Sequence, residues 1–315
     1  MTDYTQLVDA ETWAFIHKTN SFYPPGNVDF SMETQRDQYD TMCRAFHSGY
    51  PKGLTAETTV IKTPTHDIPI RIYKAAKTDA RAVVIYYHGG GFTLGGLESH
   101  DDVCAEICDR TGYEVVSVDY RLSPEHIYPA SHDDGYAAFE WAAVAYANRA
   151  ILICGDSAGG NIGAAVTGRY RRHAHAPIGQ VLIYPGLGGD RTHGSYITHP
   201  DAPLLSLRDA AYYIQMRTGG VDISNDPGFG PLVDTDFAGL PPTVIVTAQC
   251  DPLASDGPAY RDAILRAGGL AANIEEMGLV HGYLRARHSV RRARESFSRI
   301  VEAVRALGKG EWITF

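Results

Sequence analysis

The sequence predicts an α/β fold built on a mostly parallel sheet of about eight strands flanked by helices. Three observations carry this reading. Apolar runs of strand length recur along the 315-residue chain, at 82–87, 114–119, 151–154, 178–184, 243–247 and 272–276. These runs are continuous rather than alternating, as strands buried on both faces require. The segments between them are of helical length, which a crossover between parallel neighbours needs.

The elements follow in chain order. Helical patterns at 10–17 and 32–47 precede any core strand. Runs at 58–63 and 68–74 flank Pro64-Thr65-His66-Asp67, which reads as the turn of an antiparallel hairpin. The six core strands come next, interrupted by a stretch at about 187–225 in which 207–217 reads as a helix. Neither this stretch nor residues 1–50 has a place in the sheet layers, and both are expected to pack over the strand ends as a helical cap. The predicted organisation is therefore cap helices at 1–50 and a main α/β domain at 51–315 with a cap insertion at about 187–225. No internal repeat or low-complexity segment breaks it.

Composition narrows the function. A formal net charge of −9 argues against nucleic acid as a partner. Basic residues cluster at 285–294, where interleaved apolar positions suggest the solvated face of a helix. No apolar run reaches 18 residues, so no membrane span is expected. The acidic start, Met1-Thr2-Asp3-Tyr4, lacks the hydrophobic segment of a secretory signal. Five scattered cysteines read as reduced, mostly buried thiols of a cytoplasmic protein. Cys104 and Cys108 are one helical turn apart without a second pair, and His173, His175, His193 and His199 lack metal-site partners, so no metal is predicted. The oligomeric state stays open, a homodimer among the alternatives.

The chemistry concentrates in three segments. Gly155-Asp156-Ser157-Ala158-Gly159-Gly160 follows the strand at 151–154 and leads into a helical pattern, the context of a G-x-S-x-G nucleophile elbow. A serine on so sharp a turn needs neighbours without bulk, which Gly155 and Gly159 supply, and it stands at a helix N-terminus that favours negative charge. Ser157 is thus a candidate nucleophile. His88-Gly89-Gly90-Gly91-Phe92 follows the strand at 82–87, as a loop that aims backbone N–H groups at an oxyanion. Last, Asp251 and His281 each follow a strand, and the order Ser, Asp, His is that of an α/β-hydrolase triad.

Each candidate has a rival. Asp256 competes with Asp251 to orient the histidine, and His288 competes with His281. His88 reads as a residue that orders the glycine loop rather than as a base. Asp119, Arg121 and Glu125 read as a buried ion-pair network beneath the site, and Asp156 either tunes the nucleophile or braces the cap. A dinucleotide site is rejected by spacing, because Gly89 and Gly91 fit the first two glycine positions but Leu94 stands at the third.

Together these residues resemble the hormone-sensitive-lipase-like branch of α/β-hydrolase esterases, and within it the bacterial acetyl esterases. The resemblance rests on His88-Gly89-Gly90-Gly91-Phe92, Asp119-Tyr120-Arg121-Leu122-Ser123-Pro124-Glu125 with Pro129-Ala130, Gly155-Asp156-Ser157-Ala158-Gly159-Gly160, Asp251-Pro252-Leu253 and His281-Gly282. It spans residues 80–285 and is loosest in the cap segments. It implies a cytosolic carboxylesterase without cofactor, acting on a small-molecule ester, with 51–315 as its catalytic domain. By the same resemblance Ser157 is the nucleophile, His281 the base, Asp251 its orienting acid, and the amides of Gly90, Gly91 and Ala158 the oxyanion hole. It also implies short acyl groups, acetyl to about hexanoyl, in keeping with aromatic Phe92, Tyr184, Tyr212 and Tyr213. An amidase or lactone hydrolase using the same triad is the alternative, and a catalytically silent binding module a more distant one.

Overall fold

The computed structural model describes residues 2–24 and 30–314. One sheet contains β1 (Thr55–Lys62), β2 (Asp67–Lys74), β3 (Ala82–Tyr87), β4 (Glu114–Val118), β5 (Ala150–Asp156), β6 (Gly179–Ile183), β7 (Thr243–Cys250) and β8 (Ala271–Val280). Their spatial order is β1-β2-β4-β3-β5-β6-β7-β8. β1 and β2 form the antiparallel hairpin, β2 is antiparallel to β4, and every pairing from β4 to β8 is parallel. The chain runs outward from β3 to β4 and then crosses back to β5. That reversal sets the C-terminal ends of β3 and β5 side by side, with Tyr87 opposite Gly155. Open α/β sheets bind their ligands at such a switch point.

Alternation along the strands divides the core between two faces. In β3, Val84 and Tyr86 join the cluster packed by α4 (Asp101–Thr111) and α10 (Arg291–Gly308). Val83, Ile85 and Tyr87 point the other way, to α5 (Ala130–Ala145) and α6 (Ala158–Tyr170). α9 (Asp256–Arg266) covers a third cluster with Leu182 and Ile245. Each fully buried aliphatic side chain contributes about 1.5–3 kcal/mol to this sandwich, so the sheet is the rigid platform from which the loops project.

The remaining helices lie on the C-terminal edge of the sheet. They are α1 (Tyr4–Leu7), α2 (Ala10–Asn20), α3 (Met32–Phe46), α7 (Ser195–Thr198) and α8 (Leu207–Thr218). Their starts are written locally. Asp9 accepts from the Thr12 amide and Ser31 from the Thr34 amide, while Ser206 and Asp209 form a reciprocal capping box at α8. α8 ends where Gly219 takes a left-handed conformation, φ 60°. Tyr39, Met42 and Cys43 of α3 pack on Leu94 of the loop after β3, with Tyr213 of α8 against the same cluster.

Two expectations need correction. The 285–294 cluster is not one solvated helical face, because α10 begins only at Arg291. Arg285 sits in a 3-10 turn, Tyr283–Ala286. Arg287 is buried between Asp102 (2.6 Å) and Glu106 (2.8 Å). Nor do Asp119, Arg121 and Glu125 pair among themselves. Arg121 is held by Asp134 at 2.8 Å, and Glu125 meets Arg36 of α3 at 2.7 Å in a largely exposed pair. Burial leaves the Asp119 carboxyl raised to about 6. The 272–276 strand is longer than its apolar run, because Gln249 accepts the Gly278 amide at 2.8 Å and carries β8 past an irregularity in β7.

Candidate active site

The turn after β5 is built around two glycines. Ser157 has φ 52° and ψ −117°, a conformation costly for a residue with a side chain. A β-carbon on Gly155 would lie 2.5 Å from the Gly159 carbonyl oxygen, and one on Gly159 would lie 1.9 Å from that of Tyr87. Both positions therefore exclude any larger residue. The Ser157 amide donates to the Ile183 carbonyl at 2.8 Å, which ties the strained residue to β6. α6 starts at once, and the hydroxyl stands over its N-terminus.

The glycine loop lies alongside. Gly90 and Gly91 have φ 133° and 62°, and a β-carbon on Gly91 would strike the Tyr213 ring at 2.4 Å. Among the described residues their amides meet no protein acceptor. The Ala158 amide is the first of α6, so it has no acceptor one turn back within the helix. Buried His88 donates from Nδ1 to the Gly89 carbonyl at 2.8 Å, stacks on Tyr120 at 4.3 Å, and is lowered to about 4 by burial. It is a neutral brace for the loop.

Asp156 is the second brace. Its carboxylate accepts from Tyr86 (2.8 Å), the Gly89 amide (2.9 Å), His100 (3.2 Å) and Tyr184 (3.2 Å). Burial alone would raise it, but the His100 pairing and these bonds hold it well below the usual carboxylate range. Among the described residues it makes no hydrogen bond to residues 1–50 or 187–225. It anchors the glycine loop from beneath.

The loops after β7 and β8 separate the rivals. Asp251 is fully buried and its Oδ2 lies 2.6 Å from His281 Nδ1, while its Oδ1 accepts the Leu253 amide at 2.8 Å. His281 Nε2 lies 2.8 Å from Ser157 Oγ. Asp256 faces elsewhere, accepting the Leu187 amide (2.6 Å) and the Tyr196 hydroxyl (2.8 Å), and burial raises it to about 6. It pins the 187–196 segment. His288 is half exposed and paired with Glu106 at 3.2 Å.

Above these groups is a cavity of about 460 Å³. Its floor is Ser157, Ala158, His281 and the glycine loop, and its walls come from α2, α3, α8 and the loops after β6 and β7. Two arginines in the wall escaped sequence reasoning. Arg217 of α8 is buried against Phe92 (3.8 Å) and Phe229 (4.0 Å) and donates to Asn161 Oδ1 at 3.0 Å. Burial lowers it to about 9. Arg285 donates to the Tyr39 hydroxyl at 2.5 Å and to Cys43 Sγ at 3.3 Å. Neither sits in a motif, so no local pattern could mark them. Among the described residues no cluster of three or more His, Cys, Asp or Glu could hold a metal ion, and no helix is long and apolar enough to cross a membrane.

A family model described as alpha/beta hydrolase fold matches residues 84–285. Carboxylesterase NlhH of Mycobacterium tuberculosis is 37% identical over 260 residues, covering 79% of this chain and 81% of that protein. The ethyl acetate hydrolase of Pseudomonas putida is 29% identical over 249 residues, covering 76% and 78%. The hyperthermophilic esterase of the archaeon Pyrobaculum calidifontis superposes with a TM-score of 0.87 at 28% identity, covering 96% of this chain and 99% of that one.

Proposed function

The chain belongs to the α/β-hydrolase family, in its hormone-sensitive-lipase-like branch of esterases, and from that premise we propose that it hydrolyses short-chain carboxylic esters through an acyl-enzyme on Ser157. The observation that carries this reading is the unbroken line Asp251–His281–Ser157, with contacts of 2.6 and 2.8 Å. His281 accepts at Nε2 the proton of the Ser157 hydroxyl as its oxygen attacks the ester carbonyl. Asp251, buried and acceptor-only, keeps the other ring proton on Nδ1 and stabilises the imidazolium that forms. The developing oxyanion is met by the amides of Gly90, Gly91 and Ala158. One such donor contributes about 3–4 kcal/mol in sites of this kind. The alcohol leaves with the proton from His281, and water, activated by the same base, releases the acid.

The helices at 1–50 and 187–225 act in this reading as a cap. They close a cavity of about 460 Å³ whose aromatic walls suit acyl groups from acetyl to about hexanoyl. Five buried, unpaired cysteines fit a reducing compartment, and we place the enzyme in the cytoplasm.

The test is hydrolysis of para-nitrophenyl esters from acetate to laurate, with Ser157→Ala alongside. The expected result is a kcat/KM that peaks at short chains and falls on the order of a millionfold in the variant. A variant that keeps near-normal turnover removes Ser157 from the mechanism, and a profile rising to laurate rejects the short acyl pocket.

A further inference from the structure

Arg285 is a cation on the wall of the pocket that makes no direct ion pair with a carboxylate among the described residues. It follows His281 by one turn of the same loop. Its Nε and one terminal nitrogen are used by Cys43 and Tyr39, both neutral groups. The other terminal nitrogen has no partner among the described residues, and the side chain is part-exposed where it lines the cavity. The nearby anion, Asp156, is already engaged by four donors. Arg36 and Arg287 nearby each have an acidic partner, at 2.7 and 2.6 Å, and Arg217 on the same wall lies against the Phe92 and Phe229 rings and gives its donors to Asn161 Oδ1 and the Phe229 carbonyl.

Physical chemistry makes the arrangement informative. A guanidinium stays charged and loses hydration on the cavity wall, a cost best offset by an anion in direct contact with its free donors. Tyr39 and Cys43 fix its plane by accepting its hydrogen bonds but supply no charge. The open N–H edge is a preformed half of a charge-assisted pair, and a carboxylate is the anion whose geometry matches it. A purely structural arginine would turn its donors to carbonyls or carboxylates, as Arg121 does with Asp134 and the Ala130 carbonyl.

We infer that Arg285 forms a carboxylate-binding subsite, so that the preferred esters of this enzyme carry a carboxylate remote from the scissile bond. The inference rests on the esterase reading above. The charge can enter on the acyl side, as a dicarboxylic acid monoester, or on the alcohol side, and the assay has an arm for each.

On the acyl side, the para-nitrophenyl monoester of adipic acid is compared with the ester of 6-methylheptanoic acid, its uncharged isostere. On the alcohol side, para-carboxyphenyl acetate is compared with para-isopropylphenyl acetate. The readout is the charged-to-neutral ratio of kcat/KM in the wild type, Arg285→Met and Arg285→Lys. The ratio is expected to favour the charged ester in one arm, to fall about ten- to a hundredfold in Arg285→Met, and to recover in part in Arg285→Lys. Because it is a ratio, a general loss of folded protein cancels. A wild type that prefers the neutral ester in both arms overturns the subsite and leaves the esterase standing. A ratio unchanged in Arg285→Met overturns it too. No hydrolysis of any of the four esters overturns the esterase reading itself, and the subsite with it.

Discussion

Ser157 is held at φ 52° and ψ −117°, and that strain sets its thermodynamic signature. Glycine normally weakens a folded site relative to alanine by restricting less of the unfolded chain. Here the order reverses, because alanine keeps the β-carbon in a costly conformation. Ser157→Gly should exceed Ser157→Ala in unfolding free energy by about 1 kcal/mol, read from urea midpoints; the ordinary order would mean that the turn is relaxed. The two acids after β7 separate in the same way. Asp251→Asn should lower kcat on the order of ten-thousandfold through the wrong histidine tautomer. Asp256→Asn, which disturbs acceptors for the Leu187 amide and Tyr196, should instead cost about 1–3 kcal/mol of stability with kcat within tenfold. Exchanged phenotypes would make Asp256 the orienting acid. Asp119 supplies the pH dependence. Its carboxyl is raised from 3.8 to about 6 by burial, so the folded chain holds a proton there that the unfolded chain has released. The stability this contributes is complete below about pH 4 and is lost as pH rises through 6. Asp119→Asn removes the loss, and its stability relative to wild type should rise by about 1–2 kcal/mol from pH 4 to 7 after allowance for partial exposure. A pH-independent difference would show that the carboxyl is not raised.

At the scale of elements, α6 contains its own control. Gly159 faces the Tyr87 carbonyl at 1.9 Å from a would-be β-carbon, whereas at Gly168 the nearest atom is a terminal nitrogen of Arg171 at 3.8 Å, an ordinary contact. Gly168→Ala should therefore stabilise by about 0.5–1 kcal/mol, and Gly159→Ala should cost several times that or prevent folding. Thermal unfolding of the pair checks it, and equal shifts would refute the steric account. The same helix explains what could be read from the chain. Glycine at 155 and 159 around a serine is a local requirement of one turn, and continuous apolar runs are a local requirement of buried strands, so both are legible. The α8 capping box at Ser206 and Asp209 is equally local. Pairings made by the tertiary fold are not. Sequence proximity groups Arg285 with its basic neighbours, yet Arg285 meets Tyr39 from 246 residues away and Arg287 meets Glu106 from 181. Asp119, Arg121 and Glu125 are close in sequence, but the fold sends Arg121 to Asp134 and Glu125 to Arg36. Adjacency suggested a network that burial and direction divided.

The whole molecule sets a sheet sealed on both faces against outer helices, α1 and α8, that bury few residues, and the two should open independently. Every residue of β3 and β4 is buried, whereas α8 buries only Arg217 and Thr218 and α1 buries none. α3 packs Tyr39, Met42 and Cys43 on Leu94, and its Arg36 donates to the Thr93 and Ser123 carbonyls at 2.9 and 3.0 Å. α8 is fastened by Arg217, clamped between Phe92 and Phe229. Elements with little buried surface unfold locally at a fraction of the global free energy. Substrate must reach a cavity walled in part by α8, so a helix that opens below the global threshold gives it a path. Hydrogen exchange followed by mass spectrometry should show amides of 207–218 exchanging well before those of β3, β5 and β6. Arg217→Lys keeps the charge but loses the flat stack on the two rings. It should speed exchange in α8 and leave the strands unchanged. Acceleration spread equally over strands and α8 would mean that α8 and the sheet unfold as one unit, and opening would then require the whole fold to yield.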